Sequence, residues 1–98
     1  MIMPKIEVTK KESAGKFFIS IDGKEAHLKY RMRTENTIDY FSTFVPPEYR
    51  GHSYGDELVT YALDYARTNN LKVIATCPFV KEFLSKNEEK YRDLDIEK

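Results

Sequence analysis

A single cysteine, no tryptophan and no excess of charge of either sign set the first limits on this 98-residue chain. Cys77 has no second cysteine with which to close an internal disulfide, and no cysteine and histidine cluster has the spacing of a zinc site. Neither a disulfide framework nor a metal is expected, and a reducing, cytoplasmic setting fits best. Sixteen basic and sixteen acidic side chains cancel. The chain therefore lacks the general positive field that draws a protein onto a polyanion by counterion release, and nucleic acid is not an expected partner. No apolar run approaches the ~20 residues needed to span a bilayer, and Met1 to Lys5 lacks the apolar stretch of a signal peptide. No membrane partner is expected either.

What is present suits one folded unit. Hydrophobic residues at 41% and charged residues at 33% are ordinary for a globular chain, and the length allows one core. A single domain over residues 1–98 is the expectation. Lys5 to Lys11 alternates, with Ile6 and Val8 against Glu7 and Thr9, the period of a half-buried strand. Glu12-Ser13-Ala14-Gly15 supplies a turn before a second strand, Lys16 to Ile21, which runs up to the hairpin signal Asp22-Gly23. Glu25 to Arg33 alternates again, with Ala26, Leu28, Tyr30 and Met32 on one face and His27, Lys29 and Arg31 on the other. After a turn at Thr34-Glu35-Asn36, the run Thr37 to Val45 makes a fourth strand, which Pro46-Pro47 ends.

The pattern then changes to a helical one. Ser53 to Thr68 places Leu58, Val59, Ala62, Leu63 and Ala66 on one stripe, closed by Asn69-Asn70. Leu71 to Thr76 is a short buried strand, expected to return to the same sheet by a crossover. Pro78 opens a second helix to about Lys86, and the tail from Asn87 to Lys98 has too little pattern for regular structure. The fold class that follows is α+β: a mixed, mainly antiparallel five-stranded sheet, a long helix between strands four and five, and a second C-terminal helix.

One segment carries chemistry. Arg50-Gly51-His52-Ser53-Tyr54-Gly55 joins a strand end to a helix start, where backbone amides lack intrahelical acceptors and carry the positive end of the dipole. Gly51 and Gly55 let the backbone come close to a pyrophosphate, and Arg50 adds a permanent charge. Taken alone, a plain strand-to-helix turn explains these residues equally well.

Its surroundings resemble the GNAT superfamily of N-acetyltransferases, whose coenzyme A motif, Gln/Arg-x-x-Gly-x-Gly/Ala, occupies this junction; here it reads as Arg50, Ser53 and Gly55. Val45 to Gly51 and the run Asn70 to Val80, with its Cys77-Pro78-Phe79-Val80, resemble a group of very small GNAT-like proteins over about the C-terminal two-thirds of the chain. The resemblance implies acetyl-CoA as cosubstrate. It implies pantetheine against the backbone of Thr43, Phe44 and Val45, and pyrophosphate on the amides from Arg50 to Gly55, with His52 and Tyr54 among them. It implies the thioester near Thr76 and Cys77. Ser53 stands in place of a glycine, and Ser42 where relatives commonly carry a histidine.

For the chemistry, Cys77 is a candidate to accept the acetyl group or to protonate the departing thiolate, and Tyr40 or Asp39 to face the cleft from the fourth strand. Lys81, near the start of the second helix, is a candidate for the phosphates, although a solvated helix face explains it and Lys86 equally. His27 reads as a surface residue, His52 as a phosphate or adenine neighbour, and Tyr61 and Tyr65 as packing. Family members carry more chain after the fifth strand, so the acceptor side is expected to be open, with a protein amine as acceptor or a second subunit completing the site. Monomer and homodimer both remain open. So do a non-catalytic coenzyme A-binding module and a cofactor-free α+β binding domain.

Overall fold

The computed structural model describes residues 6–11, 13–94 and 96–97. The expected strand start at Lys5, the turn residue Glu12 and the tail residues Asp95 and Lys98 lie outside the described residues. Four strands, β1 (Glu7–Lys11), β2 (Ala14–Ile21), β3 (Lys24–Thr34) and β4 (Thr37–Phe44), pair antiparallel in chain order. Asp22 and Gly23 join β2 to β3 with φ of 48° and 80°, both left-handed as a two-residue hairpin turn requires. Helix α1 (Tyr54–Thr68) then crosses to β5 (Lys72–Ala75), which pairs parallel with β4. Asn70 ends the helix in the left-handed conformation at φ 55°. Helix α2 (Pro78–Lys86) has the expected bounds.

The tail departs from expectation. Ile96–Glu97 forms a sixth strand, β6, parallel to β5, so the sheet has six strands in the order β1-β2-β3-β4-β5-β6. Two residues are too few to show alternation in sequence. What anchors the tail is also non-local: Arg67 of α1 donates to Asp93 at 2.7 Å and to the carbonyl of Lys90 at 3.0 Å. Its guanidinium holds the Asp93 carboxyl below the usual carboxylate range. Tyr91 is 1% exposed, with its ring 6.0 Å from that of Phe83 and beneath the Arg67 guanidinium at 5.5 Å.

Alternation puts Phe17, Ile19, Ala26, Leu28, Tyr30, Ile38, Tyr40, Val73 and Ala75 on one face of the sheet. There they form a single core with the apolar stripe of α1 and with Val80 and Leu84 of α2. Each fully buried Leu or Val contributes about 1.5–3 kcal/mol, so this one interface dominates stability. Both helices sit on that face. On the opposite face Lys29, Arg31 and Arg33 are exposed, and no element covers it among the described residues. No described helix is long and apolar enough to cross a membrane.

The Tyr91 hydroxyl is buried without a hydrogen-bond partner. Tyr91→Phe is therefore expected to leave the urea midpoint unchanged or raised. Tyr91→Ala, which empties an aromatic site, should lower stability by about 3 kcal/mol.

Candidate functional site

The site begins where two strands part. β4 and β5 pair only from Thr37 opposite Lys72 to Tyr40 opposite Ala75. There the amides of Thr76 and Cys77 both donate to the carbonyl of Tyr40, at 3.1 and 3.0 Å, and Pro78 turns the chain into α2. β4 continues to Phe44 with β3 on one side and no strand on the other. Phe41 bulges out of the β3 ladder, between Tyr40 opposite Tyr30 and Ser42 opposite Lys29.

A cleft of about 510 Å³ occupies the gap, lined by Thr43, Phe44 and Val45 of β4 and its end, by Tyr49, Arg50, Gly51, Ser53, Tyr54, Gly55 and Asp56, and by Phe79. The loop that closes it is held from outside. Tyr49 in a 3-10 turn (Pro47–Tyr49) donates its hydroxyl to Asp22 at 2.9 Å, and Lys24 pairs with Glu48, so the β2–β3 hairpin tip clasps the loop. Arg50 donates Nε to the carbonyl of Val45 at 3.0 Å, which sets its guanidinium over the end of β4. Gly51 takes φ 84°, the left-handed region, where a side chain would be strained.

Ser53 is the N-cap of α1 by position, but it too is left-handed, at φ 66°, and its hydroxyl caps nothing. The first intrahelical bond is Glu57 N–H to Ser53 C=O at 3.0 Å. The amides of Tyr54, Gly55 and Asp56 thus have no intrahelical acceptor, and all three residues line the cleft. This is the arrangement that holds phosphate groups, with Asp56 as a competing acid in the first turn. Gly55 meets a further constraint: a Cβ there would lie 2.8 Å from Cζ of Phe79, so its smallness lets α2 close on α1.

Of the residues read from sequence as cofactor contacts, Thr43, Phe44, Val45, Arg50, Gly51, Ser53, Tyr54 and Gly55 come together on one cleft. His52 does not line it; it is exposed, with its ring 6.2 Å from that of Tyr54. Lys81 is corrected more strongly. Phe79 faces the cleft, and a residue two positions on is turned by ~200° around the helix. Lys81 accordingly borders a different hollow, with Ala75, Leu84 and Tyr91.

Cys77 is buried at the base of the gap, its Sγ 3.4 Å from Oγ1 of Thr43. Tyr40, a catalytic candidate from sequence, is a core residue. It is fully buried, its hydroxyl donates to the carbonyl of Ala62 on α1, and burial pushes its ionisation far above the ordinary value. Asp39 points to the uncovered face instead. There His27 is half-buried, 3.0 Å from a Glu25 carboxylate and 5.6 Å from the Phe44 ring; burial lowers its pKa against the pull of Glu25. Tyr49, Asp56 and Phe79, the last within the Cys77-Pro78-Phe79-Val80 run, have no site role from sequence. The usable signal for Phe79 was its place after Pro78, where the first helical turn points back at the strand end.

A profile described as GCN5-related N-acetyl-transferase matches residues 16–94. The chain belongs to this family of acetyltransferases. It is similar to a GCN5-like candidate N-acetyltransferase of Staphylococcus aureus solved by NMR, at 37% identity and a TM-score of 0.68, covering 90% of this chain and 85% of that one. It is also similar to protein NATD1 of Danio rerio, 28% identical over 88 residues, which is 88% of this chain and 80% of the relative.

Ser53 holds its φ of 66° in the region that glycine enters without strain. Ser53→Gly is expected to stabilise the protein by about 1 kcal/mol in denaturant titration, since the left-handed conformation costs a non-glycine residue roughly that much. Gly55→Ala should do the opposite, by about 1–3 kcal/mol, because the Phe79 ring has to move.

Proposed function

We propose that the chain transfers the acetyl group of acetyl-CoA to an amine, with the β4–β5 cleft holding the donor. The observation that carries this reading is the continuity of an unpaired β4 edge, Phe41 to Phe44, with the uncapped amides at the start of α1. The first suits an extended chain with amides, as pantetheine is; the second suits the pyrophosphate at its end. Arg50 adds the countercharge. The residues present therefore fit the cosubstrate.

Bound acetyl-CoA supplies an acetyl thioester: the amine nitrogen bonds to its carbonyl carbon, the C–S bond breaks, and the proton lost by the amine balances the one gained by the thiolate. The protein's part is to place and to protonate. Thr43 and Cys77, in contact across the base of the gap, are the groups read as closest to the sulfur. The burial of Cys77 favours direct transfer, with the thiol and the Thr43 hydroxyl as proton carriers, over an acetyl-cysteine intermediate. The acceptor is read as approaching from the uncovered face of the sheet, and a protein amine suits so open a side.

Ser42 and Ser53 support a second reading, a module that binds coenzyme A without turning it over. Thermal unfolding separates the possibilities. Coenzyme A and acetyl-CoA should both raise the midpoint, and Arg50→Ala should weaken binding by about tenfold, the size of one charge-assisted bond. No shift with either compound would remove both readings, whereas a shift with no acetylation of any amine would select the second. Intact-mass analysis after incubation with acetyl-CoA should show no adduct on Cys77; a stoichiometric adduct would instead establish transfer through the thiol.

A further inference from the structure

The uncovered face of the sheet has one fully buried polar side chain among the described residues, Asp39. It stands across from Arg31 on β3 and beside Ile74 on β5, one rung before the strands part. Its Oδ2 accepts from Arg31 Nε at 3.0 Å and lies 3.7 Å from Arg33 Nε; its Oδ1 accepts from Thr76 Oγ1 at 2.6 Å. One carboxylate thus holds the Arg31 guanidinium by its Nε edge, with that of Arg33 within ion-pair distance. Their side chains stay 46% and 51% exposed. Arg31 is held further over the Phe41 ring, at 4.9 Å.

Among the described residues the register places Lys16, Lys29, Arg31, Arg33 and Lys72 on this face against Glu7, Glu25 and Asp39, so the charges do not cancel. Glu25 is taken by Lys16 at 2.7 Å and by His27 at 3.0 Å, and Asp39 answers only one of its two arginines. Lys29 is exposed between Lys16 and Ser42 on the neighbouring strands. Lys29, Arg31 and Arg33 fall at alternate positions, so they span ~13 Å along β3. A guanidinium pre-positioned at Nε offers its remaining edge to a carboxylate without further loss of side-chain freedom.

We propose that this face docks the acetyl acceptor, and that the acceptor is an extended peptide segment with carboxylates flanking its reactive amine. The proposal rests on the cleft being the acetyl-donor site. Lys29 beside the gap, and Arg31 and Arg33 running from it along β3, repel a segment rich in ammonium groups and attract one rich in carboxylates. Their span exceeds a single amino acid and matches about four extended residues. A nucleic acid would offer the anions but no aliphatic amine. Phe44, 43% exposed, gives such a segment an apolar step at the entrance to the cleft.

The experiment uses the full chain and three fluorescent peptides of equal length, each with one central lysine flanked by Glu, by Gln or by Arg. Binding is read by anisotropy with coenzyme A present, and acetylation of the same peptides by mass. The Glu peptide should bind at least about tenfold more tightly than the Gln peptide and the Arg peptide more weakly still, with the preference fading as salt is raised. Lys29→Gln with Arg33→Gln should remove the preference. Both substitutions leave Asp39 with Arg31 and Thr76, so the unfolding midpoint and the coenzyme A shift should hold. Equal binding of the three peptides, preference for the Arg peptide, tighter binding of an RNA oligomer, faster acetylation of free lysine than of the Glu peptide, or a preference that survives in the double variant would each overturn the proposal. Absence of a coenzyme A shift in the unaltered protein would count against the donor site alone, since peptide preference is read independently.

Discussion

The carbonyl of Tyr40 accepts two amides, from Thr76 and from Cys77, and in doing so ends the β4–β5 ladder. A carbonyl has two lone pairs, and here both are directed at the same departing strand. Had β5 continued one more rung, its backbone would occupy the edge that the cleft leaves open. The side chain of the same residue is fastened to the carbonyl of Ala62, so β4 and α1 are locked in one relative position at the point of separation. The strand end, the middle of α1 and the start of α2 all meet at this residue.

The site tolerates local cost that the core offsets. Two residues of the loop, Gly51 and Ser53, are left-handed, the helix that follows is uncapped, and a glycine is required where α2 meets α1. None of these favours folding. Each leaves a backbone donor free or a surface close to the cleft, and the single hydrophobic layer between sheet and helices supplies the stability that keeps them so. Because that layer lies wholly on one face, the opposite face is free to carry charge.

Much of this was legible in the sequence where periodicity and turn chemistry act locally. The alternation of β3, the Asp22-Gly23 turn, the stripe of α1 and Pro78 at the head of α2 all match the structure, and Thr43 to Val45 line one cleft with Arg50, Gly51, Ser53, Tyr54 and Gly55, His52 apart. What was not legible depends on partners distant in the chain. The tail is ordered by Arg67, more than twenty residues earlier, and a two-residue strand has no period to read. Alternation told that Tyr40 and Asp39 face opposite ways but not which side holds the helices; α1 decides it, making Tyr40 core. Lys81 failed for a related reason, since helical phase is fixed by Phe79 packing against Gly55 rather than by closeness to the loop in sequence.

The clasp between the β2–β3 hairpin and the 3-10 turn gives two similar-looking hairpin tips unequal standing. The tip at Asp22-Gly23 is tied to the loop through Tyr49 and Glu48, whereas the turn at Glu35-Asn36 touches the β5 end remote from the cleft. The first acts as a lever: a change in its length or in the order of its two residues is transmitted to the amides that face the cleft. A turn about twenty-five residues upstream of the loop is therefore mechanically part of it.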